Sequence, residues 1–121
     1  MGRTAITPEQ TEIPMRYLMT TKPTDVAPDE NLFAAMGAFV EELTASGVLL
    51  ATGGLAPSGV RLVSSGGEIT ITDGPYAEAK EAVAGFALIE VRSEEEAIEL
   101  ARRFRWIVGD GESVIQQVFG P

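Results

Sequence analysis

The sequence predicts an α+β protein of the ferredoxin-like class, built on a split βαβ plan with one inserted hairpin. The apolar patterns run in the order strand, helix, strand, hairpin, strand, helix, strand. A chain of 121 residues is long enough to bury one core and too short for two domains. The strongest strand pattern, residues 84–91, is apolar on both faces, which is typical of a strand in the middle of a sheet.

The first half of the chain supplies one strand, one helix and the start of a second strand. Residues 14–21 alternate, with Tyr17 and Met19 on one face. Residues 29–46 change to a helical period, and Gly47 follows as a natural stop. The apolar stripe of this helix contains Leu32, Met36, Val40 and Leu43, with Phe33 and Phe39 beside it.

The second half supplies a hairpin, the central strand, a helix and a closing strand. Residues 60–64 and 68–72 alternate and are joined by Ser65-Gly66-Gly67, a strong hairpin pattern. Ser93 and Glu96 have capping-box spacing, which predicts the start of a second helix. That helix ends at Gly109, and residues 113–119 form the last strand.

The two predicted helices can cover only one face of such a sheet. Phe86 and Leu88 place apolar groups on the second face of the central strand. Something other than these helices must cover them, and a second subunit is the simplest cover. We therefore expect a homodimer.

The residue types that are absent limit the possible chemistry. The chain has no histidine and no cysteine, which removes the commonest acid/base group at neutral pH and the usual ligands of zinc, iron and haem. We expect no cofactor and no metal. Any catalysis would depend on Asp, Glu, Lys, Arg, Tyr or main-chain groups.

The charge and the ends of the chain predict a cytoplasmic protein with a single folded domain. A formal charge of −9 with nine basic residues argues against nucleic acid as a partner, and no apolar run is long enough for a membrane span. Residues 1–13 read as a flexible polar tail, and residues 14–121 as one domain.

Residues 72–81 concentrate ionisable groups just after a strand. Pro75 suits the first turn of a short helix, where Tyr76 and Lys80 would share one face with Asp73 at its start. An acid, a phenol and an ammonium would then converge on one small polar ligand. In the alternative, Asp73 caps the turn, Tyr76 packs and Lys80 is a solvated charge.

The run Asp73-Gly74-Pro75-Tyr76-Ala77-Glu78-Ala79-Lys80-Glu81 resembles the motif of the YCII-related family, in its DGPF-domain branch, with Tyr76 where Phe is usual. The resemblance extends over nearly all of residues 14–119. Further matching segments are Gly37-Ala38-Phe39, Gly47-Val48-Leu49, Gly85-Phe86, residues 93–101 and Gln117-Val118-Phe119.

This resemblance implies a ferredoxin-like protomer, a dimeric α/β barrel and no established reaction. Under this resemblance, Gly74 and Pro75 belong to the structural motif that is characteristic of the family. Some relatives carry a His–Asp pair proposed as catalytic, whereas this sequence has Met36 at the helix position where some have His. Members of the branch often have Gly-Glu-Gly where this chain has Thr52-Gly53-Gly54.

Two functions follow as hypotheses. In the first, a small polar molecule binds in a cleft beside Asp73-Gly74-Pro75, and in one form of this hypothesis the protein is a cofactor-free enzyme. Asp73 is then the candidate catalytic residue, and Tyr76, Lys80 and Arg16 bind the ligand, although Arg16 could equally pair with a local acid. In the second, the protein is a non-catalytic regulatory or structural dimer linked to transcriptional regulation, as the resemblance suggests.

Overall fold

The computed structural model describes residues 14–23, 29–73 and 83–120. Its elements, in chain order, are β1 (Met15–Thr21), α1 (Glu30–Ala45), β2 (Leu49–Gly54), β3 (Val60–Ser65), β4 (Glu68–Asp73), β5 (Gly85–Val91), α2 (Glu94–Val108) and β6 (Ser113–Val118). The predicted order of elements is therefore confirmed, with bounds that differ by at most three residues. The predicted tail at residues 1–13 and the segment 74–82 lie outside the described residues.

Four strands form one antiparallel sheet in the order β2-β5-β1-β6, and β3 pairs with β4 in a separate two-stranded sheet. Strand β5 lies between β2 and β1, in the interior position that its apolar pattern predicted. This order, with one helix in each crossover, fits the ferredoxin-like plan. The dimeric barrel stays a prediction.

The core lies between the two helices and one face of the four-stranded sheet. Strand residues alternate between faces, so the side chains that share the face of Tyr17 and Ile89 point towards the helices. Ile89, at 2% exposure, is the most deeply buried large side chain described. The buried set is Tyr17, Met19, Phe39, Leu43, Ile89, Val91, Ala97 and Leu100.

The ends of both helices follow from their capping residues. The Asp29 side chain accepts a hydrogen bond from the Leu32 main-chain N–H at 2.8 Å at the start of α1. The Ser93 hydroxyl accepts one from the Glu96 N–H at 3.1 Å, while the Glu96 carboxylate accepts from the Arg92 N–H at 2.8 Å. The predicted helix start at Ser93 is thus confirmed, with Glu96 reaching one residue further back than in the usual capping box.

The β3–β4 hairpin turns through Gly66 and Gly67, with φ angles of 59° and 86°. Two consecutive positive φ angles make the tight turn that matches the twist of paired strands, and glycine adopts them without a steric penalty. The register sets Leu62 opposite Ile71 and Ser64 opposite Ile69. Among the described elements, these two strands contact only each other.

Two aromatic residues of the helices are largely exposed, and one of them departs from its sequence pattern. Phe33, expected beside the apolar stripe of α1, is 65% exposed, because the buried part of that helix is centred on Phe39 and Leu43. Trp106 is 72% exposed near the end of α2.

Candidate functional site

A cavity of about 330 Å³ lies between α1 and the four-stranded sheet. Its roof is helical, its floor is the helix-facing side of the sheet, and one end reaches the start of β5. The lining residues are Met36, Phe39, Val40 and Leu43 of α1, Leu100 and Phe104 of α2, Met19 and Thr21 of β1, Leu49, Thr52, Gly53 and Gly54 of β2, and Ala84, Gly85, Phe86, Ala87 and Ile89 in and just before β5.

The cavity exists because the sheet carries very small residues beneath α1. Gly54 lies directly opposite Gly85 in the β2–β5 register, and Ala87 follows on the same face of β5. These positions place no side chain, or only a methyl group, in the space below the helix. A Cβ added at Gly85 would lie 3.3 Å from the Gly53 carbonyl oxygen, so the two strands also approach closely here.

The lining is almost entirely apolar. None of the described residues that line the cavity carries a charge. Its side-chain polar groups are the hydroxyls of Thr21 and Thr52. Thr21 shares a hydrogen bond of 3.1 Å with the Ser113 hydroxyl, and Thr52 donates one of 2.9 Å to the Phe86 carbonyl oxygen. Because both hydroxyls already have partners, the cavity offers mainly apolar contact and a few acceptor lone pairs.

The polar rim is held by main-chain hydrogen bonds around Ala84. Its N–H donates to the Thr21 carbonyl oxygen at 2.7 Å, and its own carbonyl oxygen accepts from the Leu55 N–H at 2.8 Å. These two bonds attach the residue before β5 to β1 and to the residue after β2. The rim is therefore a defined end of the cavity and not a loose loop.

The structure describes only part of the predicted site. Asp73 ends β4, is exposed, and lies opposite Val60 in the hairpin. It is not among the described residues that line the cavity. Gly74, Pro75, Tyr76 and Lys80 lie outside the described residues. Whether Asp73, Tyr76 and Lys80 converge on a ligand stays a prediction.

Arg16 lies on the face of the sheet that points away from the helices. Its guanidinium Nε donates to the Glu90 carboxylate at 3.2 Å, and the two residues are cross-strand partners in β1 and β5. Glu90 lies about 17 Å along β5 from Gly85, at roughly 3.4 Å per residue. Of the two roles expected for Arg16, pairing with a local acid is the contact observed here.

Sequence reasoning did not assign a site to the helix-facing side of the sheet. Met36 and Phe39 belong to an apolar stripe, and such a stripe ordinarily means core. The available signal was the set of small residues Gly53, Gly54 and Gly85. It becomes informative only when strand pairing places Gly54 beside Gly85.

Neither helix in the described ranges combines the length and apolarity that a membrane crossing requires. In the same ranges, no three acidic side chains lie close enough together to hold a metal ion.

The strand order, the helices on one face and the pocket beneath α1 define an α+β protein with an apolar cavity, in an arrangement that fits the ferredoxin-like plan. The YCII-related domain model matches residues 15–114, and the chain belongs to this family. It is 36% identical over 76 residues to an uncharacterised protein of Rhizobium meliloti (strain 1021), in a match that covers 61% of this chain and 61% of that protein. The family resemblance of the sequence is thus confirmed, and the DGPF-domain branch stays a prediction.

Proposed function

We propose that this YCII-related protein binds a small molecule with an apolar body and one polar end in the cavity beneath α1. The supporting observation is a defined cavity whose described lining is apolar and uncharged. Ligand pockets commonly begin at about 300 Å³ and combine apolar walls with a few placed polar groups. A cavity of about 330 Å³ equals roughly eleven water volumes, which suits a ligand of roughly ten to fifteen non-hydrogen atoms.

The polar end of the ligand would lie at the rim near Ala84, where the main-chain polar groups and both threonine hydroxyls are found. Ala84, at this rim, lies where the described chain resumes after Asp73. We therefore keep Asp73, Tyr76 and Lys80 as the proposed polar partners of the ligand. A wholly polar molecule would lose hydration against apolar walls such as Met36 and Phe39. The proposed ligand therefore has an apolar body, and only one of its ends is polar.

A catalytic form of this proposal assigns one role to Asp73, as the acid or proton acceptor of a cofactor-free reaction. Asp73→Asn keeps the size of the side chain and removes its ability to accept a full proton. If Asp73 acts chemically on a turned-over ligand, this substitution lowers kcat and leaves the ligand affinity within a few-fold. If Asp73 only binds or caps a turn, turnover and affinity change together or not at all.

A second proposal concerns assembly. On the sheet face that points away from the helices, Leu18, Phe86 and Leu88 are only half-buried, and within the described ranges no helix or strand packs over them. We propose that two copies of the chain cover these faces by packing sheet against sheet about a two-fold axis. The non-catalytic regulatory or structural dimer remains the alternative function, and this uncovered face is the observation that favours it.

The binding proposal is tested by ligand-observed NMR with a library of small aromatic and aliphatic acids, ketones and alcohols. Binders should be found for the wild type and lost in Met36→Trp, which places a large ring in the cavity. Phe33→Trp is the matched control, since Phe33 is in the same helix and 65% exposed. Binding should persist in this control.

Three outcomes would count against the binding proposal. The first is the absence of any binder to a folded wild type. The second is a set of nuclear Overhauser contacts from residues 74–82 to Met36 and Phe39 in the free protein, which would show that the chain fills the cavity itself. Equal binding to both tryptophan variants would place the ligand elsewhere and would also contradict it.

A further inference from the structure

We propose that the β3–β4 hairpin is an arm that packs on a second copy of this chain through one apolar face. That face, called here the arm face, consists of Val60, Leu62, Ile69 and Ile71. This inference rests on the proposed homodimer and adds to it a second contact surface, outside the four-stranded sheet.

The hairpin register separates apolar from polar side chains. Residues directly opposite one another point to the same side of a two-stranded sheet. The pairs Leu62–Ile71 and Ser64–Ile69 therefore share a side with Val60. The other side carries Arg61 opposite Thr72, Val63 opposite Thr70 and Ser65 opposite Glu68. Such a two-sided pattern is typical of a sheet that is buried on one side.

The arm face is not buried within the described part of the chain. Val60, Leu62, Ile69 and Ile71 are 59%, 62%, 64% and 65% exposed. Among the described elements, β3 and β4 contact only each other. An isolated two-stranded hairpin is marginally stable in water and requires packing against another surface. Four large aliphatic side chains that remain mostly exposed therefore indicate a missing contact.

A second copy of the chain fits as the occupant because the proposed sheet-to-sheet packing already brings one against the sheet from which the hairpin extends, between β2 and β5. The open sheet face formed around Leu18, Phe86 and Leu88 lacks a covering layer in the described structure. Strands of six and seven residues make both surfaces about 20 Å long. In a two-fold dimer, the arm of each copy contacts the other copy in the same way, so both apolar surfaces of both chains are covered at once.

Charge supports self-association at these surfaces in preference to others. With a formal charge of −9, two copies repel each other over most of their surface. Within the hairpin, the side that bears the arm face has a single charged residue, Asp73, at its end. On the open sheet face, Arg16 and Glu90 form an ion pair and offset each other. These are surfaces on which two acidic copies can meet with little burial of unpaired acids.

A stable dimer interface requires the arm face and the open sheet face together. Four aliphatic side chains at about 100 Å² each supply on the order of 400 Å², about half of the roughly 800 Å² per partner in a stable interface. The arm face alone is therefore too small for a stable dimer. Added to the open sheet face, it brings the interface to the usual size.

The test measures the dimer dissociation constant by analytical ultracentrifugation. Leu62→Asp and Ile71→Asp should each raise it at least about tenfold, because a carboxylate would be buried in the interface. Thr70→Asp is the matched control on the opposite side of β4 and should change it less than about threefold. Since Leu62 and Ile71 are exposed within the chain, circular dichroism should show that the helices stay folded in both variants.

Hydrogen exchange gives a second readout. In the wild type, protection of the hairpin amides should rise as the protein concentration crosses the dissociation constant. In Leu62→Asp, the hairpin amides should stay unprotected while the amides of β1 and β5 remain protected. This difference would show that the partner copy stabilises the arm.

The outcomes separate this inference from the homodimer on which it rests. If Leu88→Asp dissociates the dimer and Leu62→Asp does not, the sheet-to-sheet dimer stands and the arm contact is wrong. A wild type that is monomeric at about 100 μM, a concentration at which even a weak interface forms, would overturn both. Hairpin protection that is independent of concentration would mean that the chain covers its own arm, for example with residues 1–13, and would also overturn the inference.

Discussion

Arg103 of α2 and Glu42 of α1 form a two-pronged ion pair that joins the two helices. Nη1 of the guanidinium donates to Oε2 of the carboxylate at 2.9 Å, and Nη2 donates to Oε1 at 2.8 Å. The same guanidinium lies 4.8 Å from the centre of the Phe39 ring. One side chain thus links the helices and shields a core aromatic residue.

The hydrogen bonds from Arg103 lower the pKa of the Glu42 carboxyl below its ordinary value of 4.5, against a smaller opposing effect of desolvation. A lowered pKa means that the stabilisation is complete above the unfolded value and is lost as the pH falls through the folded one. We expect Glu42→Gln to have a lower urea midpoint than the wild type at pH 7. The difference should begin to shrink near pH 4.5 and vanish at more acid pH.

Glu41→Gln is the control for this prediction, because Glu41 is the adjacent carboxylate on the same helix and is exposed. Its urea midpoint at pH 7 should stay close to that of the wild type. A Glu42→Gln deficit of constant size from pH 7 to pH 3 would contradict the assignment to a charged pair.

Tyr17 should make the fold sensitive to alkali. Burial raises the pKa of its phenol above the ordinary value of 10.0, and the Glu94 and Glu95 carboxylates at the start of α2 raise it further. The neutral phenol is therefore favoured in the fold. Its contribution is complete below pH 10 and is lost as the pH rises through the folded pKa. The urea midpoint of the wild type should fall more steeply above pH 10 than that of Tyr17→Phe.

Tyr76 is the second of the two tyrosines, so Tyr76→Phe isolates the signal of Tyr17. In that variant, the phenolate absorbance should appear at a higher pH in the folded protein than in concentrated urea. In urea, it should follow the pKa of a free tyrosine phenol, roughly 10. Identical titrations in the two states would show that burial does not perturb Tyr17.

Ile89 should be the most costly single truncation in the sheet. It is 2% exposed and contacts the core cluster from the central strand. Ile89→Ala should lower the free energy of unfolding by about 2–5 kcal/mol, because it removes buried methyl groups and leaves a cavity. Ile98→Ala removes the same atoms at a position that is 38% exposed, and it should cost less than about 1 kcal/mol. If urea titrations show that Ile89→Ala and Ile98→Ala lower the free energy of unfolding by the same amount, the placement of Ile89 in the core is wrong.

Arg16→Ala should leave small-molecule binding to the cavity within about twofold of the wild type, since Arg16 and the cavity lie on opposite faces of the sheet. Its effect on stability should be below about 1 kcal/mol, as for other partly exposed ion pairs. Titrating the best binder of the NMR library into both proteins checks this. A tenfold loss of affinity in Arg16→Ala would contradict this prediction and would show that Arg16 contributes to ligand binding.

Much of the fold could be predicted because its patterns are local. Alternation placed Tyr17 and Met19 on one buried face, and the two-sided apolar run of β5 predicted an interior strand. Helix ends followed from Ser93 and Gly47, whose capping chemistry depends on a few neighbouring residues. Phe33 was expected near the core and is exposed, since helical periodicity does not show how far along the helix the sheet extends.

The candidate site could be predicted much less well. The sequence drew attention to Asp73, Tyr76 and Lys80 because they are rare ionisable groups in a chain without histidine. The cavity instead depends on Gly54 and Gly85, which are 31 positions apart in the sequence and adjacent across two strands. No local pattern identifies a site that is formed by missing side chains.

The sequence by itself determined the order of elements, the helix ends, the hairpin turn and the family, because each depends on short-range chemistry or on a contiguous motif. Only the tertiary structure decided that Arg16 pairs with Glu90, that Arg103 joins the two helices, and that an apolar cavity lies beneath α1. These features depend on strand register and helix placement, which bring together residues that are distant in the chain. Burial and charge at such points are properties of the assembled layers, and a single segment does not encode them.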